Sequence, residues 1–97
     1  MFLLITYDVN TEDRQGRRRL RKVAQACEDY GQRVQYSVFE CQLGKKEFLK
    51  LKSRLLKEMD VEKDSIRIYN LNEGTVSSIL HFGIKKPLDL EGDTLIV

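Results

Sequence analysis

Apolar positions fall along this chain in blocks whose period switches. Residues 2–9 are apolar or β-branched almost throughout and give way to Asp8 and Asn10. Such a short run suits a central strand covered on both faces. Asn10 or Thr11 is the expected N-cap of a helix, with Glu12 and Asp13 at its positive end. Gly16, Leu20, Val23, Ala24, Cys27 and Tyr30 then recur on one helical stripe, and Gly31 marks its C-cap. Residues 33–43 are rich in strand formers and long enough for two short strands, with a tight bend near Tyr36-Ser37, where the alternation slips. Residues 45–59 are helical again: Phe48, Leu51, Leu55 and Met59 set the stripe, Leu49 and Leu56 widen it, and lysines fill the gaps. Residues 64–71 alternate as a strand, and Asn72-Glu73-Gly74 is a turn. A further apolar segment, Ile79-Leu80-His81-Phe82, is broken by Lys85-Lys86-Pro87, and Thr94-Leu95-Ile96-Val97 is apolar once more.

The order β-α-β-β-α-β predicts an α+β fold, a ferredoxin-like βαββαβ sandwich. Residues 1–84 form that domain in this reading, and residues 85–97 a C-terminal strand extension. Both helices cover one sheet face and leave the other bare. A bare apolar face on so small a domain wants a partner, and the simplest is a second copy related by a two-fold axis, a homodimer. The apolar tail is expected to add a strand to the neighbour's sheet edge.

Composition narrows the function classes. Ninety-seven residues make one domain. A chain of this size buries about 60–65% of its unfolded surface, so a site at the surface or between subunits is favoured over a deep cavity. Apolar residues are 41% and charged residues 33%, which excludes a disordered chain. The net charge of +2 points to no particular partner. Two cysteines, Cys27 and Cys41, make neither a disulfide framework nor a metal cluster, and the single His81 excludes a multi-histidine zinc site. No apolar run approaches the roughly 20 residues of a membrane span. The first residues lack a basic segment and meet Asp8 too soon for a signal peptide, so a cytosolic protein with reduced thiols is expected.

Local density, not net charge, carries the chemistry. Residues 14–22 hold Arg14, Arg17, Arg18, Arg19, Arg21 and Lys22 with no acid among them. Arginines suit bidentate phosphate contacts, and the run suits nucleic acid. It reads equally as a solvated helix face whose charges pair with Glu12, Asp13, Glu28 and Asp29. Asp8 ends a hydrophobic strand directly before the loop and the basic helix, a place where α/β folds often put function. It is a candidate Mg²⁺ ligand, since that ion often takes only one or two protein carboxylates. An Asx-turn or helix cap is the alternative use of the same residue. Two copies of Asp8 in a dimer would be able to share one ion. Ser37 has no base near it in sequence. Tyr7, Tyr36 and Phe39 are candidates for base stacking, or core residues. Cys27 and His81 read as structural.

The strings Leu4-Ile5-Thr6-Tyr7-Asp8-Val9 and Gly31-Gln32-Arg33-Val34-Gln35-Tyr36-Ser37-Val38-Phe39-Glu40, with the arginine-rich helix between them, resemble the second CRISPR-associated protein family. The likeness is strong over residues 3–43 and looser after residue 60. It implies a ferredoxin-like homodimer whose C-terminal strands reach across to the partner. It also implies work with the CRISPR integrase, the first CRISPR-associated protein, in capturing foreign DNA as new spacers. Mg²⁺-dependent endonuclease activity on single-stranded RNA or double-stranded DNA is assigned within the family. The metal aspartate would correspond to Asp8 and the tyrosine before it to Tyr7. The helix arginines would map to Arg19 and Arg21, while Arg33, Ser37 and Phe39 lie inside the shared string.

Three readings follow. One is a Mg²⁺-dependent phosphodiesterase serving spacer acquisition, expected to be slow because no separate general base is evident. A second is a non-catalytic adaptor that grips duplex DNA and bridges integrase dimers. A third is a ligand-sensing ferredoxin-like domain, which would show little salt-dependent affinity for nucleic acid.

Overall fold

The computed structural model describes residues 1–72 and 78–84. The elements run β1 (Phe2–Asp8), α1 (Arg14–Tyr30), β2 (Gln32–Gln35), β3 (Val38–Gln42), α2 (Lys45–Glu58), β4 (Ser65–Asn70) and β5 (Leu80–Gly83). The five strands form one antiparallel sheet in the order β2-β3-β1-β4-β5. The first four strands have the ferredoxin-like arrangement, and β5 adds to the β4 edge. The bend expected at Tyr36-Ser37 is a turn between β2 and β3. The register shift lies within β2, between Arg33 and Gln35, before the bend where the alternation was expected to slip. The turn through residues 73–74, the break at 85–87 and the tail at 94–97 lie outside the described residues.

Alternation along the strands decides what is buried. Leu3, Ile5, Tyr7 and Val9 on the β1 side, Phe39 and Cys41 of β3, and Ile66 and Ile68 of β4 all face the helices. Val23, Ala26 and Cys27 of α1 and Leu51 and Leu55 of α2 close over them. Leu49, expected to widen the α2 stripe, is instead 52% exposed on the outer side of the helix. It stands two residues before Leu51, about 200° away around the helix, so both cannot face the sheet.

The other sheet face is not the apolar surface that the pattern suggested. Register places Leu4, Glu40 and Tyr69 abreast on it, then Thr6, Val38, Arg67 and His81, then Asp8 and Ser65. Apolar and charged groups are mixed there. The residues that alternate out of the core are as much Thr, Asp, Glu and Arg as Leu and Val.

Helix α1 starts one turn later than the first polar residues suggested. Its N-cap is Asp13, whose Oδ1 accepts from the Gly16 N–H at 2.7 Å, while Asn10 makes an Asx-turn with the Glu12 N–H at 3.0 Å. Gly31 does follow the helix, but in extended backbone and not the left-handed region. Its lack of a side chain serves packing: a Cβ there would stand 2.3 Å from Cys41 Sγ and 2.4 Å from the Glu40 carbonyl oxygen.

Candidate functional site

Asp8 is the last residue of β1 and is exposed. It pairs with Ser65 of β4, and it lines a depression with Thr6, Tyr7, Ser65, Arg67, Tyr69 and His81. Both imidazole nitrogens of His81 are buried without a hydrogen-bond partner among the described residues. Burial, and after it the Arg67 charge, lower the His81 pKa, so the ring is neutral at pH 7. His81 lines this depression from β5, half-buried.

Tyr7 points to the opposite face, as its neighbour in a strand must. It is buried, its ring 6.1 Å from that of Phe39 in a stacked pair. Its hydroxyl donates to the Tyr36 carbonyl at 3.4 Å, and its backbone N–H to the Ser37 carbonyl at 3.1 Å. Burial raises the Tyr7 pKa, with Cys27 adding to the rise and Arg33 and Ser37 opposing it. Phe39 is fully buried, with the Arg33 guanidinium 5.1 Å above its ring. Asp8 and Tyr7 are thus adjacent in sequence and on opposite sides of the sheet. Phe39, Ser37 and Arg33 gather on the Tyr7 side and at the hairpin.

The basic helix divides. Arg14, Arg17, Arg18 and Arg21 are exposed, and Arg17 reaches the Thr11 carbonyl at 3.5 Å. The acids that would neutralise them are largely engaged elsewhere. Asp13 caps the helix, Glu28 pairs with Arg33 at 3.1 Å, and Asp29 pairs with Arg54 at 2.6 Å. Arg14, Arg18 and Arg21 make no ion pair among the described residues. Arg19 turns inward. Its Nε donates to Asp64 Oδ2 at 2.8 Å and its Nη2 to Oδ1 at 3.2 Å.

Asp64 is the residue that sequence reasoning missed. Its carboxylate is fully buried and also accepts the backbone N–H groups of Asn10 at 3.0 Å and Asp60 at 2.9 Å. Burial alone would push its pKa up. The Arg19 guanidinium, with the Asp60 and Asn10 amides, outweighs that and holds it below the ordinary carboxylate range. One carboxylate therefore joins the loop after Asp8, helix α1 and the entry to β4. The available signal was an aspartate opening a strand otherwise built for burial. Its partner lies too far away in sequence for any spacing rule.

The donor set for a metal is thin but usable. No three His, Cys, Asp or Glu side chains come together among the described residues. One exposed carboxylate with the Ser65 and Thr6 hydroxyls nearby fits Mg²⁺, which keeps several waters, and does not fit a metal needing a full protein cage.

Fold and site define a class: a small ferredoxin-like α+β protein with an acidic strand end beside an arginine-rich helix. The family described as CRISPR associated protein Cas2 matches residues 1–79, and this chain belongs to it. A relative from Chlorobaculum tepidum, named CRISPR-associated endoribonuclease Cas2, is 54% identical over 97 residues and covers 100% of both chains. One from Halalkalibacterium halodurans, named CRISPR-associated endonuclease Cas2, is 51% identical over 96 residues and covers 99% of each. A crystal structure of Streptococcus pyogenes Cas2 at pH 6.5 superposes with a TM-score of 0.70 at 55% identity, over 76% of this chain and 89% of that one.

Proposed function

We propose that this chain is a CRISPR-associated endonuclease acting on single-stranded RNA or double-stranded DNA, with Asp8 as its metal ligand. The observation that carries the reading is the pairing of an exposed strand-end carboxylate with the unneutralised arginines of α1. Only the loop from Val9 to Asp13 separates the two. Relatives named endoribonuclease and endonuclease support the reaction class.

Arg14, Arg17, Arg18, Arg21 and Arg33 bind and orient the phosphate backbone. The Asp8 carboxylate would hold Mg²⁺, with Ser65 paired opposite it on β4. An ion held there would supply a more acidic water and positive charge against the phosphate. Tyr7, mostly buried behind the sheet, fixes the strand end through its bonds to Tyr36 and Ser37.

A single carboxylate per chain and a partly apolar open face favour a two-fold homodimer in which two copies of Asp8 share the ion. In the cell, the same dimer would serve spacer acquisition beside the CRISPR integrase. A non-catalytic adaptor that holds duplex DNA for the integrase is the rival, favoured by the thin donor set.

The test is cleavage by wild type and Asp8→Ala of labelled single-stranded RNA and duplex DNA, with Mg²⁺ or chelator, and with binding scored in parallel. Mg²⁺-dependent cleavage lost in the variant, with binding retained, supports the nuclease. Tight binding by both proteins with cleavage by neither assigns the adaptor.

A further inference from the structure

Three aromatic side chains near the strand end were candidates for stacking, and the structure separates them. Tyr7 and Phe39 are buried against each other. Tyr36 is 91% exposed, the most open large side chain among the described hydrophobic residues. An aromatic ring left in water at a hairpin bend gives up favourable burial without structural gain. Its backbone, meanwhile, is held firmly. The Tyr36 carbonyl accepts from the Tyr7 hydroxyl, and the next carbonyl, of Ser37, accepts from the Tyr7 amide. Thr6 pairs with Val38, and the bonds from Tyr7 to Ser37 and Tyr36 tie the end of β1 to the bend itself. A shallow trough lined by Arg33, Val34, Gln35, Tyr36, Ser37 and Val38 runs along the hairpin. It offers an aromatic face, an aliphatic floor at the exposed Val34, a guanidinium, an amide and a hydroxyl.

We propose that Tyr36 and this trough form a subsite for an unpaired nucleobase, stacking one base of a single strand at the hairpin that is tied to the end of β1. The subsite rests on the nucleic-acid reading above and deepens it. Unpaired strands present a free base face to the ring, whereas a duplex keeps its bases stacked on each other. The subsite thus favours single strands over duplex of the same charge. Arg33 lines the same trough, with its guanidinium over the Phe39 ring and paired with Glu28. The bond from Tyr7 uses the Tyr36 backbone carbonyl, and the ring makes no hydrogen bond among the described residues. Substitution of the side chain therefore leaves the fold in place.

The chain contains no tryptophan, so Tyr36→Trp creates a sole reporter at the bend. Fluorescence of that variant is titrated with single-stranded RNA, single-stranded DNA of the same sequence, and duplex DNA. Affinities of wild type, Tyr36→Phe and Tyr36→Ala are measured beside it, with sedimentation as a control. The expected result is quenching by both single strands and little by duplex. Tyr36→Ala is expected to weaken single-strand binding by about 5- to 100-fold, the range for one base–aromatic stack, and to leave duplex binding unchanged. Tyr36→Phe should keep the affinity. Equal single-strand affinity of wild type and Tyr36→Ala, or absence of quenching while binding persists, overturns the subsite. So does a Tyr36→Ala protein that loses its oligomeric state, which would make the ring a subunit contact. A wild type that binds no nucleic acid at all overturns the parent reading instead.

Discussion

Arg19 and Asp64, 45 residues apart in sequence, meet through two hydrogen bonds of 2.8 and 3.2 Å behind the strand end that carries Asp8. The Asp64 carboxylate is fully buried and takes two further backbone amides. Removing Arg19 leaves the buried Asp64 charge without its counter-ion, and removing Asp64 strips the partly buried Arg19 and the Asn10 and Asp60 amides of their acceptor. Arg19→Ala and Asp64→Ala should each lower stability by about 3–5 kcal/mol. The double variant should cost less than the sum of the two, as for any directly coupled pair. Because the Asp64 pKa lies below its ordinary 3.8 in the folded chain, the unfolded state takes up the proton first. Its stabilising contribution is present above pH ~4 and fades as pH falls through the folded value. Urea melts at neutral and acid pH check both statements. An Asp64→Asn protein with the wild-type acid dependence would count against them.

The same pair separates the arginines by task. Arg21 is exposed and faces no acid among the described residues, so Arg21→Ala should weaken nucleic-acid binding and flatten the dependence of log K on log salt by about one unit. Arg19→Ala should act chiefly on the unfolding midpoint and leave the slope near that of wild type. Binding isotherms across a salt series decide this. A slope reduced equally in both variants would show that the outer edge of Arg19 also meets phosphate.

Periodicity made most of the fold legible, and the reason is visible in particular residues. Leu3, Ile5 and Tyr7 alternate, and Val23, Cys27, Leu51 and Leu55 recur at helical spacing, because burial on one face is decided locally. The candidate site was legible at Asp8 and in the exposed arginines for a similar reason: polar residues at strand and helix ends announce themselves. What stayed hidden depends on contacts between distant segments. Asp64 looks like any polar residue before a strand until Arg19, Asn10 and Asp60 converge on it. Tyr36 and Phe39 are both aromatics in one string, and only the turn at 36–37 sends one into water while the other enters the core. The open face misled because the burial of one strand side says nothing about the polarity of the other.

Two glycines offer a test of packing against propensity. Alanine favours a helix interior over glycine by about 1 kcal/mol. At Gly16, however, a Cβ would stand 1.9 Å from the Asn10 carbonyl oxygen, and at Gly31 it would meet Cys41 Sγ and the Glu40 carbonyl. Gly16→Ala should therefore destabilise despite lying in α1, and Gly31→Ala should do the same, each by about 1–3 kcal/mol. Gly16→Ala also pushes on the loop after Asp8, so its cleavage rate should fall beyond what the lost stability explains when assayed well below the melting temperature. A stabilised Gly16→Ala would show that the loop yields freely.

Alkaline pH should unfold the protein through its buried thiols. Burial, with the neighbouring Cys41 adding to it, pushes the Cys27 pKa from 9.0 up to about 12, and burial raises Cys41 as well. A folded-state pKa above the unfolded value means that the unfolded chain loses its proton first as pH rises. Stability is then complete below pH 9 and declines through the window up to about 12. Each fully shifted group contributes a slope of about 1.4 kcal/mol per pH unit. Tyr7, raised from 10.0 by its own burial, steepens the upper part of that window. Cys27→Ala removes the largest contributor, so its stability should fall less steeply between pH 9 and 10, even though the small cavity lowers it at pH 7. Denaturant midpoints across that range, with Cys41→Ala for comparison, read the difference directly. Parallel pH profiles for wild type and Cys27→Ala would mean that Cys27 titrates in the folded protein much as it does in water.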